Sequence, residues 1–188
     1  MILYIIFVEP LLIYIEHRVA GLTLPSPISG SFSQNQSVEA YCDDLNILSQ
    51  SDTDLIIVDN AVRMFESVSG AILSRNKKCK VIGFGKWKTR NSWPIPYIET
   101  VSELKIFGII FMNNFRKMLS KNWEMRFTKL QQTLISWSSR ILDTLAQRVE
   151  VVKLFALSRI YYVASILPIP KNIVTKIEQA VGIFIWSS

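Results

Sequence analysis

From residue 115 onward the apolar residues keep a helical step. Leu119, Trp123, Phe127, Leu130, Leu134 and Trp137 follow at intervals of four or three residues, laying one stripe along a single helix. A second helix is predicted from Thr144, where T-x-x-Q ("TLAQ") resembles a capping box, through "RVEVVKLFALSRIYYVAS" to a stop at "LPIP". A third spans about 171–186. Residues 113–188 are therefore expected to form a helical unit.

Residues 1–112 carry shorter, mixed signals. "LYIIFVEPLLIYIEHRVA" at 3–20 reads as a Pro-kinked core helix closed by Gly21, and "LPSPISGSFSQNQ" at 24–36 as a loop. A β-hairpin is predicted at 37–49. An amphipathic helix follows at 52–69, with Leu55, Val58, Val62, Phe65 and Val68 on one face and Gly70 past its end. "KCKVIGFG" and "ELKIFGIIF" (103–111) each look like a strand. The expected class is α+β, a small sheet-and-helix unit followed by helices, with the boundary near 111–117.

Composition excludes several functions. The chain is 49% hydrophobic with mean hydropathy +0.26, so a core is expected and disorder is not. The apolar N-terminus lacks a basic leader and is interrupted by Glu9-Pro10, well short of the roughly 18 residues that span a bilayer. A protein that is intracellular, cytoplasmic or nuclear, without a membrane partner, is expected. Cys42 and Cys79 are the only cysteines, with no CxxC or Cys/His cluster, which argues against structural zinc and a disulfide framework. His17 is the only histidine and has no nucleophile at suggestive spacing, which excludes Ser-His and Cys-His hydrolases.

Charge is segregated along the chain. Residues 1–74 hold two basic and nine acidic side chains (−7), and residues 75–188 hold nineteen and six (+13). Seven basic and no acidic residues lie between Arg75 and Arg90, interleaved with Phe84 and Trp87 and followed by Trp93. Cations neutralise phosphates and aromatic rings stack on bases, so a nucleic-acid partner is expected; a solvated loop over buried tryptophans is the plainer reading.

"SVEAYCDDLNILSQ" (37–50) places Asp43 and Asp44 between two β-prone runs. Aspartate suits a turn because its side chain bonds its own backbone. Adjacent carboxylates at a hairpin tip also offer hard oxygen ligands for Mg²⁺, as nucleotidyl transfer requires. Both readings stand on these residues alone.

Several segments, taken in order, resemble the reverse transcriptases of LINE-like, non-LTR retrotransposons. "YCDD" resembles their YxDD box, and "SGAILSRNKK" their Ser-Gly pair followed by a lysine, here Lys77. "LKIFGI" (Leu104–Ile109) is similar to their primer-grip hairpin. "NWEMRFTKLQQTLISWSSR" resembles their first thumb helix, with Asn122-Trp123 and Trp137-x-x-Arg140 in place, and "LPIP" and "FIW" also fit. Cys42 departs from the usual small alanine, and Ser74 stands where an asparagine often precedes the lysine.

The resemblance implies a partial polymerase palm over 1–112 and a thumb over 113–188. It implies an RNA-directed DNA polymerase using Mg²⁺, with Asp43 as direct ligand, Asp44 peripheral and Lys77 near the pyrophosphate. An RNA template and DNA primer, or an RNA–DNA duplex, would meet Tyr41, Cys42, Lys78, Lys86, Trp87, Lys88, Phe107, Gly108, Lys121 and Arg140. Arg116, Lys117, Arg126, Lys129 and Arg148 would share the duplex-facing side. The family's first catalytic aspartate falls on a strand before residue 1, in an upstream segment expected of the full-length protein. These 188 residues alone are thus expected to be inactive, a nucleic-acid-binding remnant being the alternative to a polymerase fragment.

Overall fold

The structure is a computed structural model that describes residues 2–24, 34–41, 44–75, 79–142 and 144–186. It is mixed α+β with small, mostly antiparallel sheets. The chain divides into two compact units, Met1–Val101 and Ser102–Ser188, so the break lies ahead of the 103–112 segment instead of at 111–117.

The first unit is built on two helices, α1 (Ile2–Arg18) and α2 (Asp52–Ser69). Leu11, Ile15 and Val19 recur every four residues and meet Ala61 and Val62 in a buried cluster. Pro10 lies within α1, as the sequence predicts, and only one face of the helix is buried: Ile6, Phe7 and Ile13 are exposed. Ser51 caps α2 and Asp54 completes a capping box; Gly70 closes it in the left-handed conformation. Val68 is exposed because three-residue steps fall short of a 3.6-residue turn and carry it off the buried face.

Asp54 also joins the helices. Its buried carboxylate accepts hydrogen bonds from the backbone N–H of Gln50 (3.0 Å), Ser51 (3.1 Å) and Ala20 (3.4 Å). Gly21 between them has φ +60°, and a Cβ there would fall 2.4 Å from the Gln36 carbonyl, so no other residue fits without rearrangement.

The predicted 37–49 hairpin forms as β3 (Val38–Tyr41) and β4 (Asp44–Ile47). Val38 and Ile47 pack on the α1–α2 cluster. Two expectations change. The 24–36 loop is bounded by a strand pair, β1 (Leu22–Leu24) with β2 (Gln34–Gln36); residues 25–33 lie outside the described residues. The "KCKVIGFG" strand is reduced to β5 (Lys80–Val81), paired in parallel with β6 (Glu99–Thr100). Gly83 lets the chain fold back, since a Cβ there would meet the Trp87 carbonyl at 2.1 Å, and a 3₁₀ turn follows at Gly85–Trp87.

In the second unit, 103–111 is not one strand but a hairpin, β7 (Glu103–Ile106) and β8 (Ile109–Met112). Phe107 (φ +47°) and Gly108 (φ +79°) form its two-residue turn, the doubly left-handed geometry that matches strand twist. The expected helices follow as α3 (Phe115–Ser138), α4 (Leu145–Val151), a π-helical segment (Val152–Leu157), α5 (Ser158–Ala164) and α6 (Lys171–Trp186). Thr144 and Gln147 make the predicted capping box on α4. Trp123, Leu130 and Leu134 are buried in one core with Ile109, Ala156, Val163 and Phe184, against which Leu119, Phe127 and Trp137 pack half-buried.

Asn122 joins hairpin to helix. Fully buried, it accepts from the Ile110 N–H at 2.9 Å and donates to the carbonyls of Ile110 (2.7 Å) and Met118 (2.9 Å). Asn122→Ala leaves buried backbone groups unpaired and is expected to destabilise this unit by about 2–4 kcal/mol. Denaturant unfolding of the variant followed by tryptophan fluorescence measures this; a loss below about 0.5 kcal/mol would show that the bonds are incidental.

Candidate nucleic-acid interface

The candidate residues fall into local groups, each built by its own unit. In the first unit the YCDD box straddles the β3–β4 turn. Tyr41 and Asp44 are cross-strand partners, both exposed, and Cys42 and Asp43 between them lie outside the described residues. The register puts Val38, Ala40, Leu45 and Ile47 on the face that packs on the helices. Glu39, Tyr41, Asp44 and Asn46 share the opposite face.

Asp44 supplies one hard oxygen group at this face. Among the described residues no three His, Cys, Asp or Glu side chains gather as a metal-holding set. Mg²⁺ wants near-octahedral oxygen coordination, and the described residues alone do not complete a site for it.

The basic segment divides by residue type. Lys77 and Lys78 lie outside the described residues. The arginines turn inward, onto α2. Arg75 forks onto Glu66 (2.9 and 2.5 Å), whose carboxylate also accepts from the Leu73 N–H. Arg90 forks onto Asp52 (2.6 and 2.8 Å) and lies 4.6 Å from the Trp93 ring and 5.7 Å from the Trp87 ring. Trp87 and Trp93 meet edge to face at 5.8 Å, and Trp93 donates to Thr100 Oγ1 at 2.8 Å. Both tryptophans are half-buried, as the plainer reading of this segment expects, while Lys86 and Lys88 are exposed on and beside the 3₁₀ turn. Lys86 stands 5.7 Å from the Trp87 ring.

In the second unit, the Phe107-Gly108 turn is held from two sides. Arg126 Nη2 donates to the Gly108 carbonyl at 2.9 Å, and the Tyr162 hydroxyl donates to the Phe107 carbonyl at 2.5 Å. Arg126, expected to face a duplex, is thus directed at the turn's main chain. Tyr162 was not singled out from sequence; its only signal is a tyrosine pair in a helix, which spacing cannot assign. Lys121 is ion-paired with Glu103 at the base of the hairpin, and the Arg140 guanidinium sits 4.3 Å above Trp137. An apolar hollow of about 560 Å³ on α1, lined by Ile6, Glu9, Pro10, Ile13 and Tyr14, holds none of these candidates.

Among the described residues no helix is long and apolar enough to cross a membrane. No family model matches the chain, and no curated protein matches it.

The paired carboxylates give the first unit a pH signature. Hydrogen bonds from Arg90 hold Asp52 below its ordinary value, and those from Arg75 do the same for Glu66. For Asp59, burial pushes upward, but hydrogen bonds from Tyr97 and Arg63 outweigh it and leave the carboxyl lowered. Burial, then the bond to Asp59, pushes the Tyr97 phenol up to about 12. The lowered carboxylates stabilise the fold above their unfolded values near pH 4, and that contribution is lost as pH falls through their folded values. Tyr97 works in the opposite sense: its contribution is complete below the unfolded value of about 10 and is lost as pH rises through about 12. Spectrophotometric titration should therefore show one tyrosine ionising near 12 that disappears in Tyr97→Phe. If the variant removes a component near 10, the Asp59–Tyr97 bond does not hold in solution.

Proposed function

We propose that this chain is a palm-and-thumb piece of a LINE-like, non-LTR reverse transcriptase, whose 188 residues hold nucleic acid without polymerising it. The observation that carries the reading is the antiparallel β3–β4 pair, in which Tyr41 and Asp44 of the YCDD segment stand opposite each other. Asp44 is exposed at the end of β4, where a primer end and nucleotide can approach it. The second support is the "LKIFGI" segment, whose turn is braced by Arg126 and Tyr162 on a hairpin fastened to α3 by Asn122. A primer end gripped by backbone and ring needs such rigidity, because positioning carries much of the barrier reduction in phosphoryl transfer.

Catalysis in this reading needs a carboxylate that the resemblance puts on an upstream strand. By the resemblance, Asp43 and Asp44 would furnish about half of a metal site and Lys77 a charge near the leaving group, and a bound Mg²⁺ would supply activation of the attacking hydroxyl. The chain binds its duplex through exposed cations of the basic segment such as Lys86.

Primer extension on an RNA template with Mg²⁺ tests this. The 188-residue chain should extend nothing. Adding in cis an upstream segment bearing the opposing aspartate should give extension, and Asp43→Asn should then abolish it. Extension by the 188-residue chain, lost in Asp43→Asn, would contradict the half-site.

A further inference from the structure

A groove between α3 and the π-helical segment uses residues that neither the hairpin turn nor the YCDD face employs. Its volume is about 390 Å³, and Lys129, Gln132, Ser136, Trp137, Phe155 and Arg159 line it. The first four stand at i, i+3, i+7 and i+8 on α3, one face of the helix. Phe155 comes from the π-helical segment and Arg159 from α5, which follows it. Segments of this wound-out geometry recur where a helix must re-aim side chains toward a site.

Three features point to one kind of ligand. Lys129 and Arg159 are exposed, and among the described residues the side chain of neither is engaged in an ion pair or over a ring. No carboxylate lines the groove to neutralise them. Beside them lies an aromatic floor: Trp137 and Phe155 are 4.9 Å apart and tilted by 34°, with Arg140 4.3 Å above Trp137. Phe155 keeps 45% of its surface in water, although its neighbour Ala156 is fully buried in the core. Gln132 and Ser136 add an amide and a hydroxyl along the same wall.

Free cations alternating with a half-exposed ring suit a ligand that alternates phosphate with planar base. We infer that this groove binds single-stranded nucleic acid, with phosphates at Lys129 and Arg159 and a base against Phe155. A duplex keeps its bases stacked internally and cannot offer one to the ring, and an acidic peptide would use the cations alone. The unit's balance of twelve basic against five acidic side chains, +7 over 102–188, attracts such a strand from a distance. The inference rests on the nucleic-acid part of the proposed function but not on polymerase ancestry.

The test is fluorescence anisotropy with labelled oligo-uridylate and oligo-thymidylate, each of about ten nucleotides. The full chain is compared with the Lys129→Gln/Arg159→Gln double variant and with Phe155→Ala, all positions exposed enough for folding to survive, as circular dichroism checks. The double variant should weaken binding at least tenfold and flatten the slope of log K against log salt by about 1.4, the share of two phosphates on a single strand. Phe155→Ala should weaken binding about 5- to 100-fold at unchanged slope, and should not affect an abasic strand. Lys153→Gln, outside the groove and beside Glu150, should change little. Wild-type binding that survives both groove variants overturns the groove while leaving the chain a nucleic-acid binder. A silent Phe155→Ala beside a weakened double variant also overturns it, because the face is then merely electrostatic. No binding by the wild type overturns the groove and the nucleic-acid reading together.

Discussion

The second unit depends on one buried amide. Asn122 meets the main chain of Ile110 as a neighbouring strand would, offering an acceptor to its N–H and a donor to its carbonyl. An amide taken out of water is costly unless its hydrogen bonds are restored, and three are restored here. The next residue, Trp123, donates from its indole to the Pro168 carbonyl at 2.9 Å and so fixes the segment leading into α6. One turn further on, Arg126 reaches the hairpin's own turn. Successive positions of one helix thereby set the strand pair, its tip and the last helix.

The first unit shows why net charge overstates available charge. The planar guanidinium groups of Arg75 and Arg90 are spent on α2 carboxylates, stapling the 71–101 segment to that helix. A flexible, strongly hydrated lysine is poorly suited to such a fork and stays at the surface, as Lys86 and Lys88 do. The exposed charge of this segment therefore belongs mainly to its lysines. That division also explains the half-buried tryptophans, which pack around Arg90 and leave Lys86 outside.

Much of this architecture was legible because local signals and tertiary contacts agree. The capping boxes at Ser51 and Thr144, the cap at Gly70 and the stripe from Leu119 to Trp137 each name a helix. The 103–111 segment reads as one strand by periodicity, yet Phe107 takes a left-handed conformation that a bulky residue rarely adopts. Arg126 and Tyr162, far away in sequence, hold it there, so the period of the apolar residues could not announce the turn, although the likeness of "LKIFGI" to a hairpin did. The same limit applies to the site. The β3–β4 strand pair could be placed by its pattern, but the engagement of Arg75 and Arg90 depends on partners nine and thirty-eight residues away. The aromatic floor under Lys129 and Arg159 depends on the π-helical segment, which has no sequence signature.

The central proposal is that this basic chain holds nucleic acid through phosphate contacts. Its most direct test is the equilibrium affinity of the 188-residue protein for an RNA–DNA duplex, measured from about 50 to 200 mM salt. Counterion release requires log K to fall linearly with log salt, by about 0.9 per phosphate contacted, with little dependence on base sequence. With several exposed cations engaged, affinity should drop by at least tenfold across that range. An affinity unchanged by salt, or no binding at the lowest salt, would contradict the claim.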